Sequence, residues 1–323
     1  MQGERIVFAG FGIPEDVVNV ESFEVGQPAP GQVLVRMEAA PINPADLNFI
    51  EGVYGLKPRL PAVAGLEGCG TVLAVGDGVH APLVGGRVML VRGHGSWSSH
   101  LICPADDVLA IPAGIPAAQA CMLKVNPMTA FRMLTEGANP PAGGDWVAQN
   151  AANSGVGQCV VQIARALGLH TINLVRREDA IAPVQALGGD CVLLDEPGLV
   201  EKCPDRPALA MNAVGGDSAT RLMDLLAEGG RMTTYGAMSR QGVKVPNKFL
   251  LFKGISLHGF WLTRWLREAP ATEIAAAYQQ LATLMGDGKL AIAVEQTYPL
   301  AQAAAAIRHA KQDQRQGKIL LGC

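Results

Sequence analysis

The sequence of 323 residues has few charged and few aromatic side chains, 17% and 5% of the chain respectively. Its 26 basic and 29 acidic side chains give a formal net charge of −3. Proteins that bind nucleic acid need a surplus of Lys and Arg to neutralise phosphates, so this balance argues against nucleic acid as a partner. No uninterrupted apolar run reaches the length of a membrane span, and we therefore expect no membrane partner.

Signals for export and for disulfide chemistry are also missing. The N-terminus has neither the pattern of a signal peptide nor the Arg- and Ser-rich start of a transit peptide, which favours the cytoplasm and leaves a mature organellar form open. The seven cysteines are widely scattered and contain no C-x-x-C pair. This argues against a disulfide framework and against a four-cysteine zinc site.

The stretch from Ala151 to Arg177 is the most informative part of the chain. It is typical of a turn, a helix and a strand in succession, and the apolar residues 146–148 before it supply the preceding strand. Gly155 and Gly157 allow backbone N–H groups to approach a phosphate at the start of the helix. Taken alone, such a turn would fit an ordinary loop leading into a helix equally well. The flanking strand and helix favour a dinucleotide site.

The end of the second strand of this stretch distinguishes between the two nicotinamide cofactors. An NAD site usually has an acidic residue there, whereas this chain has Arg176 and Arg177. Two guanidinium groups suit a 2′-phosphate, so the sequence favours NADPH. The alternative is a pair of solvated surface arginines, and the acidic Glu178 and Asp179 follow directly.

The order of the predicted elements indicates an α/β protein with two domains. Short strands separated by turn signals, up to about Lys124, predict a partly open β-barrel. Strands that alternate with helices after Val125 predict a doubly wound parallel sheet, and a last strand near residue 317 returns to the first domain. We expect a catalytic domain of residues 1–124 and 266–323 and a nucleotide-binding domain of residues 125–265. The Pro-, Gly- and Asn-rich segment 40–70 is predicted to be a long functional loop.

Six blocks of sequence in the right order resemble the medium-chain dehydrogenase/reductase superfamily, and within it the mitochondrial-type trans-2-enoyl thioester reductases. The blocks are PINPADLNFIEGVYG, LPAVAGLEG, QNAANSGVGQ, LGLHTINLVRR, GGRMTTYGAM and GFWLTRW. The resemblance runs over essentially the whole chain. It implies a GroES-like catalytic domain, a Rossmann domain and a homodimer.

The resemblance also implies roles for particular residues. Tyr54 matches the catalytic tyrosine of the family. Positions that match the family's NADPH contacts are Asn126, Asn153, Ser154, Gly155, Val156, Arg176, Arg177, Tyr235, Gly236, Ala237, Met238, Phe260, Trp261 and Leu262. A family lysine near the C-terminus has Gly317 in its place, with Lys318 one residue later. Zinc-dependent relatives use a cysteine and a histidine where this chain has Asn43 without a nearby cysteine, and Leu66, so no metal is expected.

The expected activity is NADPH-dependent reduction of a 2-enoyl thioester, carried by coenzyme A or acyl carrier protein, to the saturated acyl thioester. Hydride adds to C3, and Tyr54 stabilises the enolate-like oxygen and supplies a proton. An alternative on the same fold is a reductase of quinones or other activated alkenes, in which Tyr54 is an ordinary turn aromatic. A third possibility is a non-catalytic NADPH-binding protein with a structural or regulatory partner. Phe260 and Trp261 fit a pocket wall and a plain core equally well.

Overall fold

The computed structural model describes residues 1–80, 83–137, 139–313 and 315–323. The chain divides into two compact units. The first unit comprises Met1–Val125, Leu266–Gly286 and Ala291–Cys323, and the second comprises Asn126–Trp265 and Asp287–Leu290. The assignment of a catalytic and a nucleotide-binding domain with the boundaries given above stays a prediction.

The N-terminal part of the first unit is rich in strands, because β-branched and apolar residues alternate with polar ones between Gly- and Pro-containing turns. Its elements are β1 (Gln2–Phe8), α1 (Pro14–Val17), β2 (Val18–Glu24), β3 (Gln32–Pro41), α2 (Pro44–Glu51), β4 (Ala62–Val63), β5 (Cys69–Val75), β6 (Arg87–Leu90), β7 (His100–Pro104), β8 (Val108–Ala110) and α3 (Ala117–Ala120).

The second unit alternates strands and helices as predicted. Its elements are α4 (Val125–Thr135), β9 (Trp146–Gln149), α5 (Gly155–Ala166), β10 (His170–Val175), α6 (Ile181–Ala186), β11 (Cys191–Leu194), β12 (Leu209–Asn212), α7 (Gly216–Leu225), β13 (Arg231–Thr234), α8 (Asn247–Leu251), β14 (Ser256–Gly259) and α9 (Leu262–Glu268), of which α4 and α9 cross the unit boundaries. The strands form one parallel sheet of order β11-β10-β9-β12-β13-β14. The predicted doubly wound sheet is confirmed.

The C-terminal segment returns to the first unit and completes its larger sheet. Its elements are α10 (Ala271–Gly286), β15 (Val294–Pro299), α11 (Ala303–Ala310) and β16 (Lys318–Gly322). β16 pairs antiparallel with β3, in a sheet of order β15-β16-β3-β5-β6-β8 to which β7 adds through β3. A second sheet has the order β2-β1-β4.

The segment predicted to be a long loop contains a helix, so this prediction was partly wrong. Asn43 occupies the N-cap position of α2, Pro44 follows at the first helical position, and Gly52 ends the helix with a φ of 77°. These are ordinary signals for the start and the end of a helix. The helix is anchored through Phe49 and Ile50, which are fully buried in the core of this unit.

All seven cysteines lie within the described residues and are free thiols. In the described part of the chain, no helix combines the length and the apolar character needed to cross a membrane.

Candidate active site

The carboxyl edge of the parallel sheet collects most of the predicted cofactor residues. Residues 153–156 follow β9, residues 176–177 follow β10, residues 235–238 follow β13 and residues 260–262 follow β14. Parallel strands all end at the same edge, where open α/β sheets bind their ligands. The structure therefore brings these four segments to one edge, while their individual contacts with a cofactor stay a prediction.

The turn after β9 has the features of a phosphate-binding turn. Ala151 has a positive φ of 49°, and the Ser154 hydroxyl caps α5 by accepting the N–H of Gly157 at 3.1 Å. A Cβ atom on Gly157 would lie 2.6 Å from the carbonyl oxygens of Ala151 and Ala152. The helix therefore packs directly onto the turn, and its N-terminus presents the positive end of the helix dipole.

The two arginines after β10 differ in their surroundings. Arg176 is exposed, whereas Arg177 is half-buried and its Nε lies 3.0 Å from the Asp179 carboxylate. A guanidinium group can hold a phosphate with its remaining N–H groups while one side is paired. The local charge is mixed, as the sequence indicated.

Tyr235 provides a test of whether a cofactor fits this edge. Its hydroxyl is buried and, among the described residues, has no well-aligned hydrogen-bond partner. Burial raises its pKa, and an interaction with the Ser154 side chain opposes the rise. A buried hydroxyl without a well-aligned partner, beside the cap of α5, is the kind of group that a bound ligand satisfies. The residues present thus fit a dinucleotide.

The other predicted cofactor residues vary in exposure. Asn126 is buried in the first turn of α4, Leu262 is buried at the start of α9, and Met238 is 59% exposed. Phe260 and Trp261 are half-buried between β14 and α9.

A buried polar network that the sequence did not reveal fixes the same edge. The Asn150 amide donates to Asn212 Oδ1 at 2.9 Å and to Ser218 Oγ at 2.8 Å, and it accepts the N–H of Ala213 at 2.7 Å. Asp195, directly after β11, accepts hydrogen bonds from Ser218 and Arg221. Satisfied networks of this kind hold loops in one geometry. The signal in the sequence was an asparagine or aspartate at the end of each of three apolar strands.

In the first unit, Tyr54 lies in the turn that follows α2. Its N–H donates to the carbonyl of Asn48 at 3.0 Å, as does the N–H of Val53. The half-buried side chain of Tyr54 packs against the apolar cluster that contains Phe49 and Ile50. The backbone of the predicted catalytic tyrosine is thus fixed to the last turns of a helix.

Two buried carboxylates hold the other end of that helix. Asp46 accepts the N–H of Asn43 at 2.7 Å and the N–H of Leu66 at 2.8 Å. Glu67 accepts the Asn43 amide at 2.6 Å and the N–H of Val125 at 2.8 Å. Burial raises the pKa of Asp46 to about 6 and that of Glu67 to about 7.

Two buried lysines lie among these carboxylates. Lys124 donates to the carbonyl of Leu66, and Lys318 donates to Oδ1 of Asn43. Burial lowers the pKa of Lys124 to about 8, and the carboxylates of Glu67 and Asp46 oppose this shift. The sequence pattern drew attention to Asn43 and Lys318 but does not indicate this cluster.

The structure shows why position 317, where the resemblance leads one to expect a lysine, is occupied by a glycine. A Cβ atom at Gly317 would lie 2.6 Å from the N of Glu295 and 2.8 Å from the carbonyl oxygen of Ala293. The backbone of β15 leaves no room for a side chain there. Lys318 is buried and turned to Asn43 instead.

Within the described residues, no group of three or more His, Cys, Asp and Glu side chains is arranged to hold a metal ion. Asn43, at a position where zinc-dependent relatives have a cysteine, is hydrogen-bonded to Glu67 and Lys318. The expectation that no metal takes part in the reaction stays a prediction.

Comparison with protein families gives two matches. Residues 29–113 match the alcohol dehydrogenase GroES-like domain, and residues 188–321 match a family described as zinc-binding dehydrogenase. The match over residues 29–113 confirms the predicted GroES-like domain, and the parallel sheet of the second unit is the predicted Rossmann fold.

Among curated proteins, the chain is similar to the mitochondrial enoyl-[acyl-carrier-protein] reductase of Xenopus tropicalis. The two are 42% identical over 302 residues, which cover 88% of this chain and 85% of the relative.

Three solved structures are similar over essentially the full length. A complex of Etr1p with NADP and crotonyl-CoA is 28% identical with a TM-score of 0.89, and both chains are covered completely. The mitochondrial 2-enoyl thioester reductase Etr1p/Etr2p heterodimer from Candida tropicalis is 28% identical with a TM-score of 0.88 and the same coverage. A quinone oxidoreductase from Pseudomonas syringae is 26% identical with a TM-score of 0.88, over 99% of this chain and 100% of the other.

Proposed function

The chain belongs to the family of the mitochondrial enoyl-[acyl-carrier-protein] reductases, within the medium-chain dehydrogenase/reductase superfamily, and from this we propose that Tyr54 is its catalytic residue. The protein is an NADPH-dependent oxidoreductase that reduces the C=C bond of 2-enoyl thioesters. The observation that carries this conclusion is the match, over most of the chain, to relatives of that activity.

The reaction requires a hydride donor, a stabilised oxygen and a proton. NADPH, when bound, would supply the hydride for C3 of the enoyl thioester. Negative charge then passes to the thioester oxygen. The Tyr54 hydroxyl donates a hydrogen bond to that oxygen and delivers the proton to C2, and solvent then restores the proton of Tyr54.

The second unit binds the nucleotide. The N-terminus of α5 and the turn around Ser154 hold the pyrophosphate, and Arg176 and Arg177 hold the 2′-phosphate. Residues 235–238 and 260–262, together with Asn126, hold the remaining part of the nucleotide. The Tyr235 hydroxyl, buried beside the α5 cap, gains a polar partner when the nucleotide is bound.

The acyl group is carried by coenzyme A or by acyl carrier protein. The similar Etr1p has been solved in complex with NADP and crotonyl-CoA. The curated relative is named an enoyl-[acyl-carrier-protein] reductase, after the carrier protein. We expect both carriers to deliver the same enoyl thioester to Tyr54.

A second candidate function is the reduction of quinones or other activated alkenes. It is favoured by the likeness to the quinone oxidoreductase, whose fold matches as closely as that of the thioester reductase heterodimer. Such an enzyme would use the same nucleotide site but would not need Tyr54. A purely regulatory NADPH-binding protein would reduce neither enoyl thioesters nor quinones.

We also propose that the protein forms a homodimer through β14. This strand is the edge of the parallel sheet, and all four of its residues are exposed. An edge strand with unpaired backbone groups readily pairs with a second copy. As for its location, the sequence favours the cytoplasm, whereas the curated relatives are mitochondrial proteins.

The test of this function compares crotonyl-CoA with a simple quinone as substrates for NADPH oxidation, in the wild type and in Tyr54→Phe. Tyr54→Phe removes the hydroxyl and keeps the ring. We expect it to lower kcat with crotonyl-CoA about 100-fold or more, because a proton donor is lost, and to leave NADPH affinity within about twofold. Turnover of the quinone alone would assign the protein to the second function, whereas an unchanged kcat with crotonyl-CoA in Tyr54→Phe would refute the role of Tyr54.

A further inference from the structure

The first unit buries four ionisable side chains in one cluster, which we call the buried ion cluster: Asp46, Glu67, Lys124 and Lys318. Asp46 and Glu67 are fully buried, and Lys124 and Lys318 are 7% and 8% exposed. Burying charges is costly, and apolar residues of similar volume often serve stability as well or better. The proposed reaction uses none of the four. The cluster therefore calls for a role other than stability.

The cluster is built around the N-terminus of α2. Lys318 donates to the side-chain oxygen of Asn43, the N-cap residue, while the amide nitrogen of the same side chain donates to Glu67. Asp46, in the first turn, joins the backbone of Asn43 to that of Leu66. Because Lys318 lies on β16, it connects the start of the helix to the central sheet of the unit.

The C-terminus of α2 carries Tyr54. The helix has eight residues, about 12 Å in length, and Gly52 ends it in the left-handed conformation. The N–H groups of Val53 and Tyr54 both donate to Asn48, inside the helix. Hydrogen bonds thus join the start of the short helix α2 to the turn that carries Tyr54. A displacement of Asn43 would therefore move the backbone that carries the Tyr54 side chain.

We propose that Lys318 is a positioning residue for the reduction, which acts on Tyr54 by holding Asn43 at the start of α2. The inference rests on the proposed function, since it assigns no chemistry of its own to Lys318. A misplacement of about 1 Å in a catalytic group is enough to reduce turnover strongly.

Lys318→Met and Asn43→Ser break the same link from its two sides. Methionine removes the ammonium group and keeps the length of the side chain. Serine keeps a capping hydroxyl at the helix start and leaves all four charges in place, so it serves if Lys318→Met does not fold. Each is made in the wild type and in Tyr54→Phe. Lys318→Arg tests conservative rescue. Lys311→Met, which removes an exposed pair with Glu15 in the same unit, is the matched control.

We expect Lys318→Met and Asn43→Ser to lower kcat with crotonyl-CoA about ten- to a hundredfold, with KM and NADPH affinity within about twofold. In the Tyr54→Phe background the same changes should have almost no further effect, because the group they position is gone. Lys318→Arg should restore part of the rate, and Lys311→Met should match the wild type.

Two results would overturn the inference while leaving the function intact: kcat unchanged in both variants, or an equal loss in both backgrounds, which would mean a purely structural role. A wild type that does not reduce crotonyl-CoA at all would instead refute the proposed function, and the role of Lys318 with it.

Discussion

In the turn between β9 and α5, single residues leave almost no free space. Gly157 leaves no space for a β-carbon between α5 and the carbonyl groups of Ala151 and Ala152. Ala151 itself has a positive φ, which residues other than glycine rarely adopt. The close approach of helix and turn is what lets backbone N–H groups reach a phosphate.

Gly157→Ala should therefore weaken both the fold and the cofactor site. Relief of the 2.6 Å contacts requires α5 to move away from the turn, at a cost of about 1–3 kcal/mol in the free energy of unfolding. We expect NADPH affinity to fall with it, measured by titration of the folded variant. Gly242→Ala is the control, because a Cβ atom there meets nothing within 4 Å. Equal behaviour of the two variants would contradict this account.

At this scale the sequence predicted residues that belong to recognisable blocks, such as Tyr54 and Ser154, and it missed the buried charges. Glu67 and Lys124 stand in apolar surroundings without periodicity. The buried polar side chains of this cluster have their partners on other elements. Lys318, for example, lies more than 270 positions away from its partner Asn43. No local pattern reports a contact across that separation.

Among the elements, α2 is the most consequential for the proposed chemistry. Its N-terminal signal, an asparagine followed by proline and aspartate, was present in a segment that otherwise has the composition of a loop. The strands β2 and β15 were missed for another reason. Most of their residues are exposed, so the alternation that marks a half-buried strand is absent. The first strand of the parallel sheet was predicted at residues 146–148, and the structure has it at Trp146–Gln149.

The buried carboxyl groups of Asp46 and Glu67, at the N-terminus of α2, make the free energy of unfolding depend on pH. Burial raises the pKa of Glu67 from its ordinary 4.5 to about 7, so the folded protein holds a proton that the unfolded chain releases. The stabilisation is complete below pH 4.5 and is lost as the pH rises through about 7, so the free energy of unfolding should fall across this window.

Urea denaturation between pH 4.5 and 8 measures this dependence. Glu67→Gln should flatten the decline, although Asp46, whose pKa is raised to about 6, keeps part of it. Glu24→Gln changes an exposed carboxyl and should leave the slope as it is. A wild-type stability that rises from pH 5 to pH 7 would show that the ionised form of Glu67 is the favoured one.

For the whole molecule, the exposed edge of the parallel sheet determines the expected assembly. Leu257 lies in β14 and is 38% exposed. Leu257→Lys places a charge in a pairing edge and should convert the dimer to a monomer in light scattering at micromolar concentration. Val20→Lys is the control, since Val20 is 43% exposed on the edge strand β2 of the other unit. A monomeric wild type, or a dimer that survives Leu257→Lys, would contradict pairing through β14.

The reduction adds two hydrogens to the substrate, and isotope labelling follows both of them. The enzyme is given crotonyl-CoA with NADPH deuterated at C4 of the nicotinamide, and separately with ordinary NADPH in D2O. The butyryl-CoA formed is analysed by mass spectrometry and NMR. We expect deuterium at C3 from the cofactor and at C2 from the solvent. Absence of butyryl-CoA, or cofactor deuterium at any carbon other than C3, would contradict this expectation.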